Sequence, residues 1–440
     1  MQKVSVIGAG LAGCEASYQL AKRGVKVDLY DIKPNKMTPA HSNKNLAEIV
    51  CSNSLKSTDL STASGTLKEE MTLLDSLILK TAKECSVPAG SALAVDRELF
   101  AEKITKTIKE NKNINFITKE ITFLPEGIVI LATGPLTTEG LAKNLAEIFN
   151  SSSLYFYDAS SPIVEYSSVD KEKSFIKDRY DKGSGDYLNC GMNKEEYLNF
   201  YNELICAKTV ELKSFEKKEI FEGCMPIEVM AKRGEDSLRF GPLKPVGLNH
   251  PETNEKYYAV VQLRREDNNK NLFNLVGFQT NLTFGEQKRV FSLIPALKNA
   301  NFVKYGVMHR NTYINAPNIL LPTFQTKQNK NLFVAGQLSG VEGYMESTAS
   351  GLLAGINAYL LINNKEPITL SNKTMLGAIA NYITSTSEKF FQPMNANFGI
   401  LPPLEQKERD DKKRKLMYSQ RAVEELNNQI LQNKEIFDNN

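Results

Sequence analysis

The sequence predicts an α/β fold in which a domain built on a parallel sheet is interrupted by a smaller, inserted α+β domain. Three observations support this prediction. Residues 3–31 have the pattern of a strand, a glycine-rich turn, a helix and a second strand. A strand followed by glycines returns at 332–340, and the intervening stretch 155–310 consists of short segments rich in Gly, Asn and aromatic residues. The first domain is therefore expected to be discontinuous in the sequence.

The first domain begins with a complete strand-helix-strand unit, KVSVIGAGLAGCEASYQLAKRGVKVDLYD, in which Gly24 ends the helix. The polar stretch 32–60 predicts an extended loop region. After it, LKEEMTLLDSLILKTA predicts one helix with an apolar face, and a similar face predicts another helix further on. The residues on the two faces are Leu67, Met71, Leu74 and Ile78, and then Phe100, Ile104 and Ile108.

Further strands are predicted at INFITKEITFL and GIVILATG, and the inserted domain carries the hairpin-like segments KYYAVVQLRRE and NLFNLVGFQT. NLFVAGQLSG then repeats the strand-and-glycine pattern, and STASGLLAGINAYLLI predicts a glycine-spaced helix. We place the first part of the parallel-sheet domain at 1–180 and the inserted substrate domain at 181–310. The second part, with a charged and solvated C-terminal helix, occupies 311–440.

Composition excludes several classes of protein. The chain has 440 residues, of which 41% are hydrophobic and 24% charged, as in globular proteins. Its 54 basic and 51 acidic side chains leave a formal net charge of +3, which gives little guidance about partners. Neither a membrane span nor a signal peptide is evident, so we expect a cytoplasmic protein. The six cysteines form no CxxC pair, which argues against disulfides and a thiolate metal site.

A nucleotide-binding motif lies at the first turn. Gly8, Gly10 and Gly13 form GxGxxG directly after a strand and at the start of a helix, so bare backbone N–H groups can approach a pyrophosphate. Asp31 ends the second strand, where a carboxylate can accept hydrogen bonds from an adenosine ribose. The alternative is a tight turn that binds no ligand. The strand-helix context favours a Rossmann-type dinucleotide site.

FAD and NAD both use such a unit, and two later features favour FAD: a strand that ends in Ala132-Thr133-Gly134, and a distant strand that ends in Ala335-Gly336-Gln337. Nothing resembles a second GxGxxG, because Gly183-Ser184-Gly185 lacks the third glycine. A pyridine nucleotide would therefore bind in another way. The predicted cofactor-binding residues are Gly8, Ala9, Gly10, Leu11, Ala12, Gly13, Asp31, Thr133, Gly134 and Gly336.

The cysteines differ in their sequence surroundings. Cys14 follows the glycine motif on the first helix, where small residues allow close packing. Cys85, Cys190 and Cys206 have no activating neighbours in sequence, and we predict that they are packing residues too. For Cys51, in AEIVCSNSLKS, buried packing and chemistry beside a flavin remain alternative roles.

Cys224 lies in FEGCMPIEV, with three cations downstream at Lys232, Arg233 and Arg239. Cations close to a thiol favour its reactive thiolate form. The sequence does not show whether these cations are close in space, so chemistry and packing remain alternatives for this thiol.

Several blocks spread over nearly the whole chain are long enough to be specific. They are GAGLAG, KMTPAH, VCSNSLKS, LKEEM, PAGSALAVDRELF, FEGCMPIEVMAKRG, LRFGPLKPVGL, LFVAGQLSGVEGYMESTASGLLAG and MNANFGILPPL. Together they resemble the TrmFO family of folate- and FAD-dependent tRNA uracil-5-methyltransferases. The wider group includes the FAD-binding tRNA-modifying enzyme called GidA or MnmG, which shares the nucleotide motif and the AGQ block.

The resemblance implies a GidA-like FAD-binding fold and methylation of uracil C5, with 5,10-methylenetetrahydrofolate as the carbon donor. It implies that FADH2 carries and then reduces the one-carbon unit, that NAD(P)H supplies electrons, and that the acceptor is a uridine in the T-loop of tRNA. By the same resemblance Cys224 is the nucleophile toward uracil and Cys51 assists as a base. Tyr344, in GVEGYMES, is a candidate to stack on folate or uracil, and a core position is its alternative.

The chemistry of uracil accounts for two such thiols. C5 is a poor nucleophile until a thiolate adds at C6, which generates an enolate that can attack an electrophilic carbon. Once C5 carries the new carbon, its proton must be removed by a second basic group. A cysteine suits the first task because its thiolate is strongly nucleophilic and can later leave.

Three alternatives stay open on the sequence. The same chemistry could act on a uridine of ribosomal RNA, such as 23S, because the catalytic blocks would not reveal a change of target. A flavin thiol or disulfide oxidoreductase is motivated by Cys51, although the missing CxxC argues against it. The third is an FAD-containing RNA-binding protein with inactive cysteines. KERDDKKRK is predicted to be a solvated helix face, and His41 is assigned no role.

Overall fold

The computed structural model describes residues 3–38, 40–149, 154–181, 187–210, 225–265, 272–386, 391 and 393–437. Within these ranges two large apolar cores form, one around a parallel sheet and one around an antiparallel sheet. This two-domain α/β architecture confirms the predicted fold class.

The strands are β1 (Lys3–Ile7), β2 (Lys26–Asp31), β3 (Ser54–Ser57), β4 (Ser86–Val87), β5 (Ala92–Val95), β6 (Ile114–Thr118), β7 (Ile128–Leu131), β8 (Leu154–Ser160), β9 (Ile163–Glu165), β10 (Ser174–Ile176), β11 (Tyr187–Met192), β12 (Ala259–Arg265), β13 (Leu272–Leu275), β14 (Phe302–Lys304), β15 (Val307–Tyr313) and β16 (Leu332–Val334). The helices are α1 (Leu11–Ala21), α2 (Ala63–Leu73), α3 (Leu77–Glu84), α4 (Arg97–Glu110), α5 (Glu139–Ile148), α6 (Lys194–Cys206), α7 (Ile227–Ala231), α8 (Phe284–Phe291), α9 (Ala316–Ile319), α10 (Tyr344–Ile362), α11 (Met375–Ser385), α12 (Asp411–Gln432) and α13 (Lys434–Phe437).

The parallel sheet has the strand order β16-β7-β1-β2-β6 in the described part of the chain. All its pairings are parallel, so the carboxyl ends of the strands meet at one edge. β1 is flanked by β2, which follows it through α1, and by β7, which comes much later in the sequence. Such a topological switch point is where open α/β sheets bind ligands. β16 comes from the C-terminal third, which confirms that this domain is discontinuous.

Helix α10 crosses α1 closely. A Cβ atom on Gly351 would lie 2.3 Å from the Ala12 carbonyl oxygen, and one on Gly355 would lie 2.8 Å from that of Ala16. Only glycine lets two helix backbones approach to this distance. The C-terminal part of the chain is thereby fixed against the first strand-helix-strand unit.

The inserted domain is built on an antiparallel sheet with the order β10-β11-β12-β13-β9-β14. The predicted hairpin forms, because β12 pairs with β13 in a register that aligns Leu263 with Leu275. Aromatic side chains fill its core, among them Tyr197 and Phe200 from α6. Strands β9 and β10 already belong to this sheet, so sheet membership favours a start for the inserted domain before 181. The boundaries 1–180, 181–310 and 311–440 stay a prediction.

The stretch predicted as one helix over 67–82 forms two helices, so this prediction is wrong. Asp75 adopts a left-handed conformation, with φ of 54°, between α2 and α3. The Ser76 side chain then caps α3 by accepting a hydrogen bond from the Leu79 N–H. The apolar residues stay buried on either side of the break, including Leu67 and Ile78.

The C-terminal helix α12 is only partly solvated, which corrects the prediction. Ser419, Ala422 and Leu426 are buried on one of its faces, and the Gln429 side chain accepts a hydrogen bond of 2.9 Å from the Ser371 N–H. The segment KERDDKKRK, which extends into the start of this helix, is mostly exposed, as predicted. Among the helices that the structure describes, none combines the length and apolar character that a membrane crossing requires.

Candidate functional site

A cavity opens at the carboxyl ends of β1, β2 and β7, with about 1190 Å³ of empty space that includes its opening to solvent. This is the position at which open parallel sheets bind dinucleotides. The predicted cofactor-binding residues that line it are Gly8, Ala9, Gly10, Leu11, Ala12, Asp31, Thr133, Gly134 and Gly336. The structure thus brings together residues from both ends of the sequence.

Two glycines of the motif are required by packing. Gly8 has φ of 99°, and a Cβ atom on it would lie 2.4 Å from the Ala132 carbonyl oxygen. Gly13 does not line the cavity; it lies beneath the turn, where a Cβ atom would be 1.7 Å from the Gly8 carbonyl oxygen. These two residues hold β1, the turn and β7 in contact, so they have a structural role in the turn.

Gly10 differs from these two, because a Cβ atom on it would meet nothing within 4 Å in the protein. It is the N-cap of α1 and has no side chain that could cap the helix. The first turn of the helix carries no acidic residue. Unpaired N–H groups and the positive end of the helix dipole therefore face the cavity. This is the arrangement in which helix N-termini bind phosphate groups.

The Asp31 carboxylate lies against this turn. Its oxygens accept hydrogen bonds from the Ala9 N–H at 2.6 Å and from the Lys33 N–H at 2.8 Å. An ionised carboxylate has about four acceptor positions, so Asp31 can also accept from ribose hydroxyl groups. On the far side, the Thr133 and Thr137 hydroxyl groups lie 2.6 Å apart in the turn that follows β7.

Helix α10 begins at the same cavity, which Tyr344 and Ser347 line. Its N-cap, Gly343, has φ of 115°, a conformation that favours glycine. Glu346, in the first turn, is buried; it pairs with the Lys56 ammonium at 2.9 Å and accepts from the Ala396 N–H at 3.0 Å. The start of α10 is thereby tied to β3 and to the segment around Ala396.

Cys51 lies in a turn directly against Tyr344. Its sulfur is 2.7 Å from the Tyr344 hydroxyl oxygen. The same oxygen accepts hydrogen bonds from the backbone N–H groups of Cys51 at 2.8 Å and of Val50 at 3.1 Å. Val50 and Tyr344 both line the cavity, so the half-exposed thiol is held beside it. Sequence reasoning had selected both residues without relating them to each other.

The Cys51 turn is held from two domains. Arg97 donates to the Val50 carbonyl oxygen at 2.9 Å from the parallel-sheet domain. Arg264, on β12 of the inserted domain, donates to the Ser52 hydroxyl group and, at 3.1 Å, to the Asn53 side-chain oxygen. The sequence offered no sign of these arginine contacts, although Arg97 lies in one of the recognised blocks.

Asn53 completes this connection and is fully buried. Its amide group donates to the Arg265 carbonyl oxygen at 2.7 Å and to the Val95 carbonyl oxygen at 3.3 Å. One side chain therefore joins a strand of each domain next to the predicted catalytic thiol.

Cys224 lies outside the described residues, as does the Gly183-Ser184-Gly185 segment. The residues that follow Cys224 are well placed on the inserted domain: Met225 is buried, and the Ile227 N–H donates to the Gln279 carbonyl oxygen at 2.7 Å. Of the predicted cations, Lys232 and Arg233 are exposed, and Arg239 packs over the Tyr258 ring. The role of Cys224 stays a prediction.

The remaining cysteines divide into buried and exposed residues. Cys14 is fully buried and its thiol donates to the Ala9 carbonyl oxygen at 3.3 Å; burial raises its pKa. Burial also raises the pKa of Cys85, and that of Cys190 to about 12. These three are packing residues, as predicted. Cys206 is exposed at the end of α6, so the packing prediction is wrong there.

A buried lysine lies close to this network. Lys68, on α2, donates to the Ser57 carbonyl oxygen at 2.9 Å and to that of Ser64 at 3.2 Å. Burial lowers the pKa of Lys68 to about 8, while the nearby Glu346 carboxylate acts in the opposite direction. In the described part of the chain no cluster of His, Cys, Asp and Glu has the composition of a metal site.

Comparison with known proteins identifies the family. The profile described as Glucose inhibited division protein A matches residues 3–366. Relatives from Bacillus cereus strain G9842 and Bacillus anthracis strain CDC 684 are each 56% identical over 427 residues, which are 97% of this chain and 98% of theirs. Both carry the name methylenetetrahydrofolate–tRNA-(uracil-5-)-methyltransferase TrmFO.

The fold is shared with solved structures of Aquifex aeolicus GidA. The form II crystal structure has a TM-score of 0.71 at 17% identity, covering 99% of this chain and 74% of that one. The form I structure has the same TM-score at 18% identity and covers 77% of that chain. The parallel sheet, the glycine-rich turn and the similarity to the relatives over nearly their full length agree. The chain belongs to the GidA family and, within it, to the TrmFO methyltransferases.

Proposed function

We propose that this protein methylates C5 of a uridine in structured RNA, with 5,10-methylenetetrahydrofolate as the carbon donor and FAD as the redox cofactor. The favoured acceptor is the T-loop uridine of tRNA, because the relatives are named for tRNA. The observation that carries the proposal is the position of Cys51, a half-exposed thiol held at the edge of a dinucleotide cavity in a chain of this family.

The cavity fits FAD. The α1 N-terminus and Gly10 leave room and N–H groups for a pyrophosphate, Asp31 can hold a ribose, and the turn after β7 and the start of α10 surround the remaining space. Bound FAD would supply two-electron reduction of the new one-carbon group. We assign the ten predicted cofactor residues to this site, with Gly13 acting through the shape of the turn.

The thiols divide the remaining chemistry between them. Cys224 adds to uracil C6, which makes C5 nucleophilic toward the donated carbon. Cys51 then accepts the C5 proton. The hydrogen bonds of Arg264 to Ser52 and Asn53 give the inserted domain, which carries Cys224, a direct mechanical link to the Cys51 turn. NAD(P)H regenerates the reduced flavin, and a cytoplasmic location is part of the proposal.

Reconstitution tests the proposal. The flavin-loaded protein is incubated with methylenetetrahydrofolate, NADPH and either a tRNA transcript or a 23S ribosomal RNA transcript, and 5-methyluridine is measured by mass spectrometry of nucleosides. We expect methylation of the tRNA that requires both the folate and NADPH. Product only in the ribosomal RNA would move the target and keep the chemistry. Absence of product in both RNAs would refute the proposal.

Cys224→Ala is the decisive variant in the same assay. Loss of the nucleophile should reduce product formation at least about a thousandfold, as removal of a covalent catalyst does in other enzymes. Cys206→Ala is the matched control, because that thiol is exposed on α6 and is assigned no part in the reaction. A Cys224→Ala protein that methylates at an unchanged rate would contradict the assignment of the nucleophile.

A further inference from the structure

We propose that the Tyr344 hydroxyl group is the proton partner of Cys51, which it holds as a thiolate ready to take the C5 proton of the uracil adduct. The inference rests on the proposed function and deepens it: Tyr344 acts through its hydroxyl on Cys51, in addition to any stacking by its ring. It gives this tyrosine a positioning role in the proton-transfer step.

The direction of the hydrogen bond follows from the geometry around the tyrosine oxygen. A phenolic oxygen has two lone pairs and one hydrogen. The N–H groups of Cys51 and Val50 approach it at 2.8 and 3.1 Å, and that of Ser52 at 3.4 Å, so the lone pairs face the turn. The hydroxyl hydrogen can then be donated to the Cys51 sulfur at 2.7 Å. A donated hydrogen bond is stronger to a thiolate than to a thiol.

Both partners are held in place by contacts independent of each other. Tyr344 is the first residue of α10, which is fixed against α1 by the close approach at Gly351. Arg97 holds the Val50 carbonyl on the other side of the turn. The Tyr344 oxygen therefore meets a prearranged set of donors, as preorganised catalytic groups require.

The charges around the turn favour the thiolate as well. Two guanidinium groups, of Arg97 and Arg264, contact the turn itself. Other charged groups near it include the Lys56–Glu346 pair on β3 and α10 and the Lys33–Glu48 pair on the cavity wall, and Asp31, Lys119, Glu120 and His41 line the same cavity. A guanidinium group close to a thiol favours its anionic form.

The proton step balances in these terms. The C5–H bond of the adduct breaks and its proton passes to the Cys51 sulfur. The electron pair of that bond forms the double bond between C5 and the one-carbon group, and the bond from this carbon to its donor nitrogen breaks. The hydrogen bond from Tyr344 opposes premature protonation of the sulfur and returns the thiol to its thiolate form after the proton leaves to solvent.

Alkylation of Cys51 in the flavin-loaded protein tests the inference without depending on methylation. Wild type and Tyr344→Phe are treated with iodoacetamide between pH 6 and 9.5, and modification of the Cys51 peptide is followed by mass spectrometry. Tyr359→Phe makes the same chemical change on the same helix and is the matched control. The exposed Cys206 gives an internal reference rate within each sample.

Loss of one hydrogen bond to a charged group should move the midpoint of the rate-against-pH curve upward by about one pH unit. The rate at pH 7 should fall by only about threefold, because a less stabilised thiolate is also a stronger nucleophile. Tyr359→Phe should follow wild type. An unchanged midpoint in Tyr344→Phe, or a Cys51 that resists alkylation at every pH, would overturn the inference. If alkylation behaves as expected but no methyluridine forms, the proposed function fails while the thiolate assignment stands.

Discussion

The glycine-rich turn at residues 8–13, here called the glycine cradle, and the Cys51 turn lie at the same cavity. They are built in different ways. The cradle consists of neighbouring residues on β1, α1 and β2, and it presents backbone N–H groups at a helix N-terminus. The Cys51 turn is short, yet its shape depends on Tyr344, 293 residues away in the sequence, and on Arg264 of the other domain. A binding surface can thus be encoded locally, whereas the reactive group depends on tertiary contacts.

This difference has a functional consequence. At Gly13 and Gly8 of the cradle an added Cβ atom would collide with backbone, so the shape of the glycine-rich turn depends on close backbone packing. The Cys51 turn is held by side-chain hydrogen bonds from both domains, which can be broken one at a time. Variants of the two regions should therefore fail in different ways, the first through folding or cofactor loss and the second through rate.

The largest effect is expected within the cradle. There, substitutions of two glycines should separate an effect on folding from an effect on cofactor binding. Gly13→Ala forces a Cβ atom to 1.7 Å from the Gly8 carbonyl oxygen and should lower the free energy of unfolding by about 3 kcal/mol. Gly10→Ala meets no protein atom within 4 Å, so stability should stay within about 0.5 kcal/mol while the added methyl group intrudes on the pyrophosphate position. Urea unfolding of the apoprotein and FAD titration measure the two quantities.

Gly285→Ala, at an open position in the first turn of α8, is the control for both measurements and should keep stability and FAD affinity. The comparison would break if Gly10→Ala unfolded the protein, or if it bound FAD as tightly as wild type.

A smaller effect is expected for the reactive thiol itself. Cys51→Ala removes the proposed base and should slow methyluridine formation about a hundredfold, within the range of general-base catalysis. The fold should be retained, because the backbone N–H groups of the turn still donate to Tyr344. Single-turnover rates with saturating RNA provide the measurement, with Cys206→Ala as the control. Unaltered rates in Cys51→Ala would remove this residue from the mechanism.

The next prediction concerns the hydrogen bonds by which the inserted domain positions the Cys51 turn. Arg264→Met deletes the hydrogen bonds to Ser52 and Asn53 but leaves the contacts of Tyr344 and Arg97. We expect kcat to fall about tenfold with unchanged FAD content, because the proposed base Cys51 is then less well aligned with the C5 proton. Arg289→Met, which removes an exposed arginine of the same domain, should leave kcat unchanged. Equal rates for both variants would show that the turn is positioned by its own domain alone.

A pH-dependent effect on stability concerns the buried Lys68 beneath this network. Its folded-state pKa of about 8 lies below the ordinary value of 10.5, so burying the charge costs stability most fully below pH 8. The cost is relieved as pH rises from about 8 to 10.5. The stability of wild type relative to Lys68→Met should therefore rise by roughly 2 kcal/mol across that window. Urea unfolding at several pH values checks this, with the exposed Lys80→Met as control; parallel pH curves for wild type and Lys68→Met would contradict it.

The accuracy of the sequence predictions follows the same division. Strands β1, β2 and β7, the glycine turn and Asp31 were predicted in place, because periodicity and glycine spacing are local properties. The single helix over 67–82 was wrong, since apolar spacing continues through Asp75 while the backbone does not. Cys206 was wrong as well, because a side chain near the end of a helix can face solvent whatever its neighbours in sequence.

The sequence by itself determined the α/β class, the dinucleotide cradle, the discontinuous domain and, through its recognised blocks, the family. It also singled out Cys51 and Tyr344 as separate candidates. Only the tertiary structure decided that the two residues share a hydrogen bond, and that Arg97, Arg264 and Asn53 hold the turn between the domains. The difference is distance along the chain: a glycine turn is specified by adjacent residues, whereas a hydrogen bond between residues 51 and 344 requires that β16 pairs with β7 and that α10 packs against α1.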